Sequence, residues 1–211
     1  MDVHSPHRSI TSFKEFVREL VTITAGILIA LSLEGLLTWR HHRDLVREAR
    51  ANILGELQTN QYQLTNEQRD LNTMEEDLRA LITLVHQLES HSAHVPKAVP
   101  FVWSLAELHA TSWDSAQSTG ALSYMLYEEV KRYTEVYDLQ RDFRAGQQHG
   151  FGASLEVEGL ETLLGREDQS LTPDDLTDAE RKLGLVRANV AALKELSAAL
   201  QRLYAGALRS Q

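Results

Sequence analysis

Residues 20–39 read LVTITAGILIALSLEGLLTW, and this stretch decides the architecture. Twenty helical residues at about 1.5 Å each cover about 30 Å, the thickness of a bilayer hydrocarbon core. Glu34 is the one ionisable side chain inside the run, and Trp39 stands where an interfacial aromatic belongs. Arg18 flanks one end; Arg40, His41, His42 and Arg43 flank the other. The apolar region of a cleaved signal peptide is about 7–15 residues long and ends at small residues. This run is longer and ends in TWRHHR. It therefore reads as a transmembrane helix preceded by a tail over 1–19, with Arg18, Trp39, Arg40 and Arg43 as membrane-interface anchors; a buried core helix is the rival. Arg8, Lys14 and Arg18 before the span are balanced by Arg40, Arg43, Arg47 and Arg50 after it, so charge asymmetry leaves orientation undecided.

One face of the span carries Thr22, Gly26, Ala30 and Glu34 at steps of four. Gly26 and Ala30 form a small-xxx-small pair that lets two helices approach closely. Glu34 extends the stripe, placing a carboxyl where a neighbouring helix offers it a hydrogen bond in place of lipid. Self-association through this face is the leading reading. Snorkelling of Glu34 to the interface and an ion or proton pathway stay open.

Beyond the span, residues 40–90 read as one long helix. Leu57, Leu64, Leu71, Leu78 and Val85 recur every seven residues, and Val46, Ile53, Met74, Leu81 and Leu88 fill the complementary heptad positions. Arg50, Asn60 and Glu67 are the polar interruptions of this seam. Prolines 96 and 100 mark a loop over 91–100. Helices are expected over 101–117, over 121–145 with Leu126, Val130, Tyr133 and Tyr137 on one face, and over 154–164. Ser118, Thr119 and Gly120 punctuate the first junction, and Gly146, Gly150 and Gly152 bracket a turn at the second. The last helix, 173–208, opens on Thr172-Pro173-Asp174-Asp175, an N-cap hydroxyl followed by a first-position proline and two acids. Leu176, Leu183, Val190, Ser197 and Tyr204 alternate there with Ala179, Val186, Leu193 and Leu200 in a second heptad seam. The expected fold is all-α: an N-terminal transmembrane helix and, over 40–211, an antiparallel bundle with long coiled-coil-like helices.

Composition sets the exclusions. The 211 residues carry a net charge of −9, which opposes general binding to nucleic acid phosphates. There is no cysteine, hence no disulfide, thiolate ligand or cysteine nucleophile. His86, His91 and His94 are close enough in sequence to suggest metal, yet His91 and His94 fall in the loop without carboxylates at ligand spacing, and the group reads as solvated loop histidines. His41 and His42 beside the span read as interfacial polar anchors rather than pH sensors. His109, Asp114 and Ser115 do not share a helical face and so fail as a triad. Phosphate-binding loops, nucleophile elbows and H-E-x-x-H are missing from the sequence. No cofactor or metal is expected, and catalysis is not.

GILIAL within an N-terminal span, TWRHHR after it, and TSWDSAQSTGALSYMLYEEVKRYTEVYDLQ mid-chain together resemble a group of uncharacterised bacterial single-pass membrane proteins. In that group an aromatic precedes an S-G-A-L segment and a helix ending in paired tyrosines. Trp113, Ser118, Gly120, Ala121, Leu122, Tyr133 and Tyr137 match the pattern, with Thr119 inserted between serine and glycine. The resemblance covers about half the chain and implies a bacterial inner-membrane location, with packing rather than catalysis as the motif's role. Two functions are carried forward. One is a self-associating, membrane-anchored interaction or signal-transmitting module with an unidentified protein partner. The other is a homo-oligomeric pore or membrane-perturbing effector.

Overall fold

The computed structural model describes residues 13–90, 101–164 and 171–209, and among them the chain is all-helical, without a strand. Four α-helices follow in order: α1 Phe13–Glu89, α2 Thr111–Ser118, α3 Tyr127–Leu164 and α4 Pro173–Arg209. A 3-10 turn at Ala121–Tyr124 links α2 to α3. The expected loop over 91–100 lies outside the described residues. Contacts divide the chain after Glu48 into two units.

In the first unit α1 is helical from Phe13, ahead of the apolar run, and residues 13–20 contain neither proline nor glycine to break it. Its apolar window is the one stretch among the described residues long and apolar enough to cross a membrane, and none of that window is buried within the protein. That exposure counts against the rival reading of a helix buried in the chain's own core. The span and the long helix after it, expected as separate segments, are one continuous α1 of 77 residues.

The second unit is built on the heptad seams. Ile53, Leu57, Leu64, Leu71, Leu78 and Val85 of α1 are fully buried, and Met74 and Leu81 nearly so. Val46 and Leu88, the ends of the expected seam, are half-buried. All nine expected seam positions of α4 are buried, from Leu176 to Tyr204. Each large aliphatic side chain taken out of water contributes about 1.5–3 kcal/mol, so these two stripes supply most of the apolar driving force. Helix α4 starts where its cap predicts. The Thr172 backbone N–H donates to Asp175 Oδ2 at 2.9 Å, and the Asp175 N–H returns to Thr172 Oγ1 at 3.3 Å.

Three expectations fail between the seams. Residues 101–110 are not helical but form an irregular strap. Helix is confined to α2, which ends at Gly120 in the left-handed region (φ 75°), a conformation glycine adopts without Cβ strain. Residues 121–145 and 154–164 are not two helices: α3 passes unbroken through Gly146, Gly150 and Gly152. A Cβ on Gly150 would lie 2.3 Å from the Trp103 ring, and one on Gly146 would lie 3.1 Å from Leu193 Cδ2. These two glycines thus make room for neighbours instead of turning the chain. Finally, Leu126 precedes α3 and is 75% exposed. The buried face is Glu129, Tyr133, Val136, Gln140, Phe143, Gln147, Gly150, Ser154 and Val157, a 4-3 repeat half of which is polar.

Hydrogen-bonded pairs give the directions. Arg50–Glu129, Glu56–Tyr137, Asn60–Gln140 and Glu67–Gln147 are separated by 79, 81, 80 and 80 residues, so α1 and α3 run the same way. Thr65–Gln201, Gln68–Ser197 and His86–Glu180 shrink from 136 to 129 to 94 residues apart, so α4 runs opposite to α1. Ser104 reaches Asp70, His109 reaches Asn60, and Ser112 reaches Glu56, so the strap and α2 also descend against α1. Every successive element reverses direction, and the bundle is antiparallel in that sense.

Candidate functional site

The Thr22, Gly26, Ala30 and Glu34 stripe lies wholly on the exposed part of α1. Thr22 Oγ1 donates to the Arg18 carbonyl at 2.9 Å, which satisfies its hydroxyl without a partner helix. No atom comes within 4 Å of a Cβ placed on Gly26, so the face is open to a close neighbour. Just past the span, the Arg43 guanidinium sits over the Trp39 ring at 5.4 Å, a cation–π contact that pairs two of the expected anchors. Arg18 and Arg40 are exposed on the same helix.

The mid-chain motif is brought together only in part. Trp113 stacks on Tyr137 with ring centroids 5.2 Å apart and meets Tyr133 edge-on at 6.5 Å. All three are nearly fully buried. Ser118 stays outside this cluster: it is exposed, and its hydroxyl donates to the Ser115 carbonyl at 3.0 Å. Gly120 supplies the reversal that carries the chain from α2 toward α3. The aromatic members pack α2 onto α3, and the serine and glycine terminate α2.

Around this cluster runs a ladder of polar groups between α1 and α3; three rungs begin at Arg50, Asn60 and Glu67, the polar interruptions of the α1 seam, and one begins at Glu56. Arg50 Nε and Nη2 grip Glu129 at 2.6 and 2.8 Å, a bidentate pair, and the Tyr133 hydroxyl donates to the same carboxylate at 3.2 Å. The hydrogen bond from Arg50 holds the Glu129 carboxyl below its ordinary range, against the opposing effect of burial. Burial, aided by that carboxylate, pushes the Tyr133 phenol up to about 12. One turn on, Tyr137 donates to Glu56 Oε1 at 2.7 Å while Glu56 Oε2 accepts the Ser112 N–H at the start of α2. Burial raises the Tyr137 phenol as well, so both tyrosines are fixed donors at neutral pH.

The next rung is built on the buried side chains of Asn60, Gln140 and Tyr204. Asn60 Nδ2 donates to the His109 carbonyl at 2.7 Å, and the His109 N–H donates to Asn60 Oδ1 at 2.9 Å. Gln140 Nε2 donates to the same carbonyl at 2.7 Å, and the Tyr204 hydroxyl donates to Gln140 Oε1 at 2.7 Å. One layer thus ties α1, the strap, α3 and α4, with two backbone groups of the strap satisfied by side chains. Here His109 contributes backbone, not imidazole, and it lies on the strap rather than on the helix expected for it. Above it Glu67 accepts from Gln147 Nε2 at 3.1 Å and from Ser104 Oγ at 3.3 Å. Burial raises the Glu67 carboxyl above its ordinary value despite these bonds, and nearby Asp70 adds to the rise.

Such layers fix register, because a one-step slip would strand buried donors and acceptors. Sequence reasoning located Arg50, Asn60 and Glu67 on the α1 seam and Tyr204 on the α4 seam, but it missed Glu56, Gln140 and Gln147, and it places Glu129 on a solvated helix face where the structure leaves it 7% exposed. The available signal was the seven-residue spacing of Gln140, Gln147 and Ser154 on α3, with Gln140 and Gln147 at a constant offset of 80 from Asn60 and Glu67 on α1. One further assembly lies apart from the ladder: His86, in the last turn of α1, meets Glu180 of α4 at 2.7 Å with Glu89 alongside. Two carboxylates therefore lie within ligand reach of His86; the expectation of solvated loop histidines at His91 and His94 falls outside the described residues. No family model, curated protein or solved structure matches the chain.

Proposed function

We propose that this chain is a single-pass protein of the bacterial inner membrane that self-associates through the Thr22, Gly26, Ala30 and Glu34 face. It acts by binding another protein, or by passing a change of state along α1, and not by catalysis. The observation that carries this reading is an apolar helical window with no buried residue and an open small-residue face. Lipid satisfies the apolar side chains, and a second copy of the helix satisfies Glu34. The transmission half rests on continuity: the helix bearing this window also bears the Arg50, Asn60 and Glu67 rungs. The polar groups of the ladder are consumed by one another, which suits a register-holding role better than chemistry.

Crosslinking of the full chain in native membranes tests the proposal. Gly26→Leu should cut the crosslinked species on the order of tenfold by holding backbones apart. Gly35→Leu lies nine residues on, on the opposite side of the helix, and should leave it intact. An oligomer unchanged by Gly26→Leu refutes the packed face. If purified protein carries ion flux across liposomes and Glu34→Gln alters its ion preference, the pore reading replaces this one.

A further inference from the structure

We propose that His86, Glu89 and Glu180 form a binding site for a divalent transition metal, Zn2+ above all, that staples the end of α1 to the start of α4. The inference is independent of how the protein meets the membrane. His86 and Glu89 are three residues apart in the last turn of α1 and so share a face. Because α4 runs opposite to α1, Glu180 from its early turns arrives at the same place. One donor atom from each lies within 4.8 Å of the others, and His86 Nε2 is 2.7 Å from Glu180 Oε1.

A tetrahedral zinc ion with bonds of about 2.1 Å sets its ligand atoms about 3.4 Å apart. The tightest contact here, 2.7 Å, must open by under 1 Å, and since all donor atoms lie within 4.8 Å of one another no other pair need close by more than about 1.4 Å. All three side chains are exposed and end in freely rotating bonds, so both moves are small. One imidazole and two carboxylates suit Zn2+, whereas Mg2+ and Ca2+ favour all-oxygen shells. Two carboxylates also neutralise the ion's charge. Three protein donors leave the remaining positions to water. An exposed His–Glu pair contributes little by itself, while an ion bridging two helices binds only the folded chain and stabilises it.

The test uses full-length protein in detergent, stripped with chelator and titrated with ZnCl2 by calorimetry and thermal unfolding. Wild type should bind one ion per chain saturably, and its Tm should rise on the order of 5–10 °C at about a hundredfold excess over Kd. His86→Ala and Glu180→Gln should each weaken binding at least about tenfold and abolish the rise, with helicity unchanged when zinc is absent. His149→Ala, an exposed histidine of α3, should bind as wild type does. MgCl2 should give no rise. Absence of saturable zinc binding in wild type, or binding that His86→Ala leaves unaltered, overturns the proposal.

Discussion

Replacing Gly150 and Gly152 by alanine, one at a time, should move stability in opposite directions although the chemical change is the same. Both glycines lie inside α3, where alanine is favoured over glycine by about 1 kcal/mol. Gly152 is exposed with open space beyond it, so Gly152→Ala should recover that gain. At Gly150 the added Cβ would stand 2.3 Å from Trp103 Cη2 and Cζ2, whereas carbon atoms in contact prefer about 3.5–4.0 Å. The indole, or the strap that carries it, has to retreat by more than 1 Å. Overpacking of this kind costs about 1–3 kcal/mol. The helix term is common to both substitutions, so their difference isolates the clash: Gly150→Ala should lie about 1–3 kcal/mol below Gly152→Ala, or several degrees in Tm. Thermal unfolding of the full chain in detergent, followed by far-UV circular dichroism, measures it. Tryptophan fluorescence should shift to the red for Gly150→Ala alone as Trp103 gains water. If Gly150→Ala is as stabilising as Gly152→Ala and leaves fluorescence unchanged, the strap does not dock on α3 through that glycine.

Further substitutions probe the seam. Glu67 titrates higher when folded than when unfolded, so the folded chain is favoured at low pH and loses that advantage as pH rises through the folded value; Glu67→Gln should therefore raise Tm at pH 8, with the gain shrinking as pH falls toward the ordinary carboxylate range. A wild-type Tm that climbs from pH 5 to 8 relative to Glu67→Gln refutes this sign. Leu71→Asp or Leu193→Asp puts a carboxylate where almost no surface is exposed and should cost upward of about 3 kcal/mol, while exposed Glu76→Ala should change stability by less than about 0.5 kcal/mol. Equal and small shifts in urea midpoint for all three would undo the heptad assignment.

The apolar stripes of α1 and α4 were legible because burial of large aliphatic side chains is both the strongest folding force and a periodic one. A seven-residue recurrence of leucine has few solutions besides a packed helix. The start of α4 was legible for a local reason: Thr172 and Asp175 satisfy each other's backbone N–H within one turn, and Pro173 between them needs no partner for a missing N–H. The apolar run at 20–39 carried its meaning in length alone. Residues 101–110 were misread because FVWSLAELHA is good helix sequence, and only the tertiary structure brings Asn60 and Gln140 to the two backbone groups of His109. A side chain from another element can outbid a local propensity worth a few tenths of a kcal/mol per residue. Helix α3 was broken in the reading at glycines that the structure keeps helical, since Trp103 and Leu193 occupy the space their missing side chains leave. Its buried face escaped notice because Glu129, Gln140, Gln147 and Ser154 carry no hydrophobic signal and become core residues only when α1 and α4 supply their partners. The same holds for His86, whose carboxylate neighbour Glu180 is 94 residues away and arrives only because α4 folds back antiparallel to α1.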